Sequence, residues 1–302
     1  MIRILASDGI EKAAADKLVA LGFEVVEQFY EVEDLKEQVK NFDVLVVRSA
    51  TKVRKPIIDS AVEGGRLKLV IRGGVGVDNI DVQYATEKGI KVTNTPNASS
   101  ISVAELAIAH MFAVSRFVHI SNVAMRQGKW DKKHYEGVEI FGKTLGLVGF
   151  GRISKEVAVR AKALGMNVIY TDVLGEDINS VYKFGTLDQV LAESDYVSLH
   201  IPYSKETGAV IDKAAIAKMK DGAFLINCAR GGVVDESALL EALDSGKLAG
   251  AGVDVFEEEP TKNEALVNHP KVSATPHIGA STVEAQIRIG EEIVTIIDNF
   301  FK

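Results

Sequence analysis

The stretch Lys143–Ser154, KTLGLVGFGRIS, leads straight into KEVAVRAKALG. TLGLV is a short apolar run of the kind that forms a buried strand, and the segment after Ser154 has the composition and length of a helix. Gly149 and Gly151 sit at the junction. A strand, a glycine turn and a helix in immediate succession open a βαβ unit, and that reading fixes how the sequence on either side is parsed.

Downstream the rhythm repeats, with strands NVIYTD, DYVSLHIP, AFLINCA, AGAGVDV and KVSATPH separated by helical or turn segments. Upstream it is already running: IRILAS then EKAAADKLVALG, DVLVVRS then KPIIDSAVEGG, KLVIRGG then DVQYATEKG, and KVTNTP. Runs such as Leu45-Val46-Val47 and Leu69-Val70-Ile71 are apolar on both faces, as strands covered by helices on each side require. The sequence therefore predicts an α/β protein of two doubly wound parallel-sheet domains, Rossmann-like and flavodoxin-like, with a cleft between them. Residues 1–97 plus 281–302 form the first, substrate-binding domain, and 98–280 the second, dinucleotide-binding domain. Between the two series lies ISVAELAIAHMFAVSRFVHISNVAMRQG, residues 100–127, with no Gly or Pro before Gly128. It is read as one long helical stretch, apolar nearly all round to about Val118 and so buried at an interface.

Length and composition narrow the function. A chain of 302 residues is long enough for two domains with real cores, and 47% hydrophobic with 25% charged residues is ordinary for a globular protein. A formal net charge of −7 argues against nucleic acid as a partner, which needs a basic face. The single cysteine, Cys228, excludes an internal disulfide and a cysteine-built metal site, and no metal is expected. The N-terminal apolar stretch is short and interrupted by Asp8, and no apolar run approaches the ~20 residues of a membrane helix. A cytoplasmic protein with no membrane association is expected.

Within Gly149-Phe150-Gly151-Arg152-Ile153-Ser154, the first glycine allows the tight turn and the second lets backbone approach a pyrophosphate. The helix opened by Arg152 and Ile153 offers unpaired N–H groups and the positive end of its dipole to phosphate. Ser154 stands at the third position, where it can help cap the helix while slightly relaxing helix–strand packing. Asp172 ends the next strand, placed to accept from both hydroxyls of an adenosine ribose and to repel a 2′-phosphate, which favours NAD over NADP. A glycine turn or a surface aspartate alone would mean little. The four features in order carry the assignment.

Ligands bind at the carboxyl ends of strands in such sheets. DYVSLHIP ends in His200 and Pro202, AFLINCARGG in Arg230, GAGVDVFEEEP carries Asp254 and Glu259, and VSATPHIGAS ends at His277 and Gly279. Four consecutive strands thus bring a base, an acid and a cation to one edge. That set suits hydride transfer at a carbinol carbon: His277 takes the hydroxyl proton, Glu259 holds the imidazole, and Arg230 grips a substrate carboxylate. Gly231 and Gly232 would leave room for ligands to approach. Each residue has a plainer explanation when taken singly, a satisfied strand-end histidine or a solvated glutamate turn. Three complementary types on adjacent ends favour the site.

With these residues assembled, the chain resembles the D-isomer-specific 2-hydroxyacid dehydrogenases, and among them the members that oxidise 3-phospho-D-glycerate. The likeness runs almost end to end, through VVRSATKV, GVGVDNID, NTPNASSISVAEL, GKTLGLVGFGRIS, SDYVSLHIP, NCARGGVVDESAL, GVDVFEEEP and TPHIGAS. The resemblance implies that Arg230, Glu259 and His277 are catalytic. It implies that Asp254 accepts from the nicotinamide carboxamide, and that His200, Pro202, Thr207, Cys228, Ala229 and Gly279, with His277, face the cofactor. It also implies that backbone at Gly74, Val75 and Gly76 holds the substrate carboxylate, that Arg48 and Ser49 face a substrate phosphate, and that Lys132 is a phosphate-facing lysine supplied by a second subunit. The implied ligands are NAD and a small phosphorylated hydroxy acid. The implied assembly is a homodimer through the 100–140 region, with closure about hinges at 96–100 and 278–284. Glyoxylate or hydroxypyruvate reduction is the alternative chemistry, and an NAD-sensing corepressor the alternative without turnover. Longer members continue into regulatory domains past the closing helix, and feedback through such a domain is not expected here.

Overall fold

The computed structural model describes residues Met1–Lys302. The chain separates into two compact units, Met1–Ser99 with Ala280–Lys302, and Ser100–Gly279.

In the first unit, strands β1 (Arg3–Ala6), β2 (Glu24–Glu27), β3 (Val44–Val47), β4 (Leu69–Arg72) and β5 (Lys91–Asn94) pair in the order β2-β1-β3-β4-β5, all parallel. This is the flavodoxin-like order, reversing between β1 and β3. The two-residue period of a strand sends Leu5, Leu45 and Val70 to one face, against Leu35, Ile57 and Ile58. Their neighbours Ile4, Val44, Leu69 and Ile71 go to the other, against Leu18, Ile293 and Ile297. Both faces are covered, which is why these strands read as unbroken apolar runs rather than alternating ones. Burying each such side chain contributes about 1.5–3 kcal/mol. The C-terminal helix Val283–Phe301 belongs to this unit, with Ile289, Ile293, Val294 and Ile297 in its core. Strand β2 and the helix Val32–Gln38 are additions to the sequence reading. EVVE is a half-exposed edge strand flanked by glutamates, too short and polar to register as one.

In the second unit, β6 (Thr144–Val148), β7 (Asn167–Thr171), β8 (Lys183–Phe184), β9 (Tyr196–Leu199), β10 (Ala223–Asn227), β11 (Leu248–Val253) and β12 (Val272–Ala274) pair in the order β12-β11-β10-β9-β6-β7-β8. All pairs are parallel. This is the Rossmann order with one further strand, and it reverses between β6 and β9. Val197, Leu199 and Leu225 face one core, and Tyr196, Phe224 and Ile226 the other.

The expected continuous helix over 100–127 is broken. It consists of Ser100–Ser115 and Val118–Arg126, bent by 67°. Phe117 sits at the break with φ 54°, a left-handed conformation that ends the first helix. The Ser115 carbonyl then accepts from Val138 N–H at 3.0 Å, so the returning chain satisfies the helix end. The first helix packs over β10, β11 and β12 and against the helix Arg152–Ala163, so its broad apolar surface is covered within this unit by its own sheet. No single helix in the chain is long and apolar enough to cross a membrane.

Candidate active site

The turn between β6 and the helix Arg152–Ala163 has the geometry of a phosphate cradle. Gly149 has φ 87°, and a Cβ there would lie 2.6 Å from the His200 carbonyl oxygen. At Gly151, by contrast, an added Cβ would meet nothing within 4 Å. Gly151 is the N-cap and offers no side-chain acceptor, so the first-turn N–H groups stay open to an external anion. Ser154 does not cap the helix as expected. It is the third residue of the helix, is fully buried, and its Oγ has no hydrogen-bond partner. Arg152 is exposed and Ile153 half-buried. Asp172 accepts from Phe150 N–H at 2.6 Å on one oxygen and from Leu174 N–H at 2.9 Å on the other. Each oxygen keeps a lone pair for a further donor, so the carboxylate both shapes the loop and suits a diol. These residues fit a dinucleotide.

His200 follows β9. Its N–H donates to the Val148 carbonyl at 2.8 Å and its Nε2 pairs with Ser198 Oγ at 3.0 Å. Burial pushes its pKa down to about 3, so it is a neutral structural histidine beside the glycine turn. Pro202 and Thr207 are exposed in the loop beyond, where Thr207 Oγ1 donates to the Ser204 carbonyl. Cys228 is buried at the end of β10, and its thiol is pushed up by that burial, which makes it inert rather than reactive. Ala229 and Arg230 follow, both half-buried.

Arg230 is carried on a tight turn. Asn227 Nδ2 donates to the Arg230 carbonyl at 3.0 Å, and Arg230 Nη1 donates to the Ala229 carbonyl at 2.6 Å. The two glycines that follow serve the protein rather than a ligand, contrary to the sequence reading. A Cβ at Gly231 would sit 1.7 Å from the Phe256 carbonyl oxygen, and one at Gly232 2.8 Å from the Tyr203 ring. Gly231 is required because the turn after β11 crosses directly over it, and that turn carries Glu259.

Glu259 Oε2 lies 2.8 Å from His277 Nδ1, with both side chains little more than a third exposed. Its other oxygen accepts from Phe256 N–H at 3.2 Å. Burial alone would raise its pKa. The hydrogen bond and charge of His277, the Phe256 amide and the Arg230 charge outweigh it and hold Glu259 below the usual carboxylate range. An ionised carboxylate only accepts, so Nδ1 carries the proton and His277 Nε2 is left as the basic nitrogen. The three residues thus form one electrostatic group on the ends of β10, β11 and β12.

Asp254 is 1% exposed and both its oxygens are engaged in the His277 loop. Oδ1 accepts from Thr275 Oγ1 at 2.6 Å and Ile278 N–H at 2.8 Å, and Oδ2 from Gly279 N–H at 2.9 Å. Sequence reading gave it to the cofactor. The structure gives it a part in holding the loop, and only Oδ2 has ample capacity for another donor.

The remaining candidates lie elsewhere. Arg48 and Ser49 follow β3 in the first unit, where Asp8 Oδ2 accepts from Arg48 N–H at 2.7 Å and Asn79 Nδ2 donates to the Arg48 carbonyl at 2.8 Å. Gly74 has φ 144°, and the Arg72 guanidinium lies so close over it that a Cβ would be 1.4 Å from Nη1. Val75 and Gly76 follow, with Asn94 Nδ2 on the Val75 carbonyl. Asp8, Asn79 and Arg72 went unnoticed in the sequence. The signal was there for Arg72, the charged last residue of a buried central strand. Lys132 is exposed on a short turn, Lys132–His134, of the second unit.

A doubly wound sheet with an open glycine turn and an imidazole–carboxylate–guanidinium group at its strand ends defines a dinucleotide-dependent oxidoreductase. Residues 108–279 match the family model described as "D-isomer specific 2-hydroxyacid dehydrogenase, NAD binding domain". The chain is 48% identical to a hydroxypyruvate reductase of Thermotoga maritima, over 97% of this chain and 96% of that one. It is 45% identical to a D-3-phosphoglycerate dehydrogenase of Methanocaldococcus jannaschii over 96% of this chain, which spans 56% of that relative's length. A crystal structure of a glyoxylate reductase from Paecilomyes thermophila superimposes with a TM-score of 0.86 at 33% identity, covering 97% of this chain and 93% of that one. The chain belongs to the D-isomer specific 2-hydroxyacid dehydrogenases, and its second unit is the NAD-binding domain of that family.

Proposed function

We propose that this protein oxidises 3-phospho-D-glycerate to 3-phosphohydroxypyruvate with NAD in the cytoplasm, the entry step to serine. The observation that carries the hydride-transfer reading is the 2.8 Å contact between Glu259 Oε2 and His277 Nδ1 at the strand ends of the dinucleotide sheet. In this reading His277 Nε2 takes the hydroxyl proton of the substrate, and Glu259, held ionised, stabilises the imidazolium that results. Arg230 binds the carboxylate and the carbinol oxygen, fixing which face of the carbon is presented. When bound, the dinucleotide supplies the acceptor for the hydride at its nicotinamide ring. Gly149, Gly151 and the open helix N-terminus hold its pyrophosphate, and Asp172 its ribose.

The substrate-binding part is assigned to the first unit, with Arg48 and Ser49 on the phosphate and backbone at Gly74, Val75 and Gly76 on the carboxylate. Lys132 would come from a second copy. A homodimer through the 100–140 region accords with the exposed Phe112, Val123, Met125 and Trp130 of the second unit, Trp130 being 81% exposed. Reduction of hydroxypyruvate is the second reading, favoured by the Thermotoga relative that this chain matches over nearly its whole length. At the same oxidation level the two readings differ by one phosphate, 3-phosphohydroxypyruvate against hydroxypyruvate, so Arg48 and Lys132 decide between them.

The test is a panel: NAD-dependent oxidation of 3-phosphoglycerate, D-glycerate and D-lactate, with hydroxypyruvate and glyoxylate reduction in reverse. A kcat/KM for phosphoglycerate at least tenfold above D-glycerate, lost in Arg48→Ala, supports the first reading; equal values would replace it with the second. His277→Ala should lower kcat by ~10²–10⁴ on the best substrate. Turnover near that of the native enzyme would remove His277 from the mechanism.

A further inference from the structure

His110 is a histidine that no part of the proposed reaction uses. It lies on the helix Ser100–Ser115, 2% exposed, with both ring nitrogens occupied. Nδ1 is 3.0 Å from Ser273 Oγ and Nε2 is 3.0 Å from Thr275 Oγ1. The ring reaches this place because β11 has Gly252 beneath it, where a Cβ would lie 2.5 Å from His110 Cβ.

Hydrogen-bond polarity fixes the direction of this chain of contacts. The Asp254 carboxylate can only accept, so Thr275 Oγ1 donates its hydrogen to Oδ1. The Thr275 oxygen must then accept from His110 Nε2–H. Burial lowers the His110 pKa against the opposing charge of Asp254 and keeps the ring neutral. With the proton on Nε2, Nδ1 is the nitrogen that accepts from Ser273 Oγ–H.

The far end of the chain is the backbone of His277. This residue has φ 53°, a left-handed conformation that costs a non-glycine residue about 1–2 kcal/mol. Such a residue persists where its surroundings over-determine it. Here they do: the next two N–H groups, of Ile278 and Gly279, are both taken by Asp254, and His277 N–H closes back on the Thr275 carbonyl at 3.0 Å. The carboxylate plane of Asp254 sets that turn, and Thr275 sets the carboxylate plane.

We propose that His110 is a positioning residue, which through Thr275 and Asp254 holds His277 in its left-handed turn and so sets the imidazole against Glu259. The inference rests on the reading of His277 as the base. It touches neither substrate nor cofactor, and its effect falls on the chemical step rather than on binding.

The test compares His110→Leu, which keeps the bulk and removes both polar contacts, with His110→Gln, whose amide nitrogen takes the place of Nε2. Leu should lower kcat by about 10–100-fold, since small misplacement of a reacting group has that effect, with KM within twofold. Gln should restore kcat to within about threefold of the native value. In the ligand-free protein, amide hydrogen exchange at Ile278 and Gly279 should quicken at least tenfold in the Leu variant while Val253 in β11 stays within threefold. A packing role alone would loosen β11 equally and would not be rescued by Gln. Should His110→Leu not fold, Thr275→Val against Thr275→Ser asks the same question from the middle of the chain. Native kcat and native exchange in His110→Leu would overturn the proposal, as would a Gln variant no better than Leu. A native protein without turnover, whose Ile278 and Gly279 amides still respond to His110, would sink the dehydrogenase reading and leave the positioning intact.

Discussion

Gly149 and Gly151 stand two residues apart in one loop, and the structure gives them opposite reasons to be glycine. Consider Ala at each. At Gly149 a methyl would press to 2.6 Å from the His200 carbonyl oxygen at φ 87°, so the backbone itself must move. Left-handed strain of about 1–2 kcal/mol plus overpacking of about 1–3 kcal/mol should destabilise the protein before any ligand is added. At Gly151 the φ of −79° is open to alanine and the new Cβ meets nothing within 4 Å. The N-cap preference for Gly over Ala costs at most about 1 kcal/mol, and the lower entropy of the unfolded chain returns about 0.4–1 kcal/mol. The two nearly cancel, and Gly151→Ala should melt within about 2–4 °C of the native protein. Its methyl instead stands where a pyrophosphate must come close. A loss of about 2–3 kcal/mol there weakens NAD binding by about 30–150-fold. Calorimetric titration of NAD, with thermal unfolding of the ligand-free proteins, reads both numbers. Native NAD affinity in Gly151→Ala would refute the cradle, and equal destabilisation by the two substitutions would refute the geometric distinction.

Glu259→Gln keeps the shape of the acid but removes its charge, and should lower kcat by about 10–100-fold with KM little altered; a steady-state profile checks it. Glu259 has a folded pKa below its unfolded value, so the stability it adds is present above the ordinary glutamate pKa of 4.5 and is lost as pH falls through the lower folded value. The native-minus-Gln difference in melting temperature should therefore shrink on acidification below about pH 4.5. In the first unit, buried Asp43 ties Arg3 N–H at 2.7 Å to the Arg66 guanidinium at 2.9 Å. Burial would raise its pKa, but Arg66 and the Arg3 amide hold it lowered. Asp43→Asn should cost about 1–3 kcal/mol in urea unfolding at pH 7, an advantage the native chain loses as pH drops through the folded pKa of Asp43.

The parallel architecture was legible because strands covered on both faces leave short solid apolar runs, such as Leu45-Val46-Val47 between Asp43 and Arg48, or Leu225-Ile226 between Gly222 and Gly231. Arg230, Glu259 and His277 were legible as types at strand ends. What escaped was everything set by close approach across the chain. INCARGG shows two glycines, but nothing in it says that the carbonyl of Phe256 lies against Gly231. AELAIAHMFAVSRF shows no breaker, because the break at Phe117 is made by the chain returning near Val138. His110 read as one polar residue in an apolar helix, since its partners Ser273 and Thr275 lie more than 160 residues away.

The bond from Val138 N–H to the Ser115 carbonyl closes the segment between them into a loop tied at its neck. Above that neck, Trp130 to His134 contribute nothing to the buried core. A tied neck isolates the tip, because changes there do not propagate past the knot into the sheet. For a lineage under selection this is a place where residues can be exchanged or added at little cost to folding. Substitutions from Trp130 to His134 should therefore leave the melting temperature of the single chain almost unchanged, so that any effect they have on substrate choice or association is read free of folding.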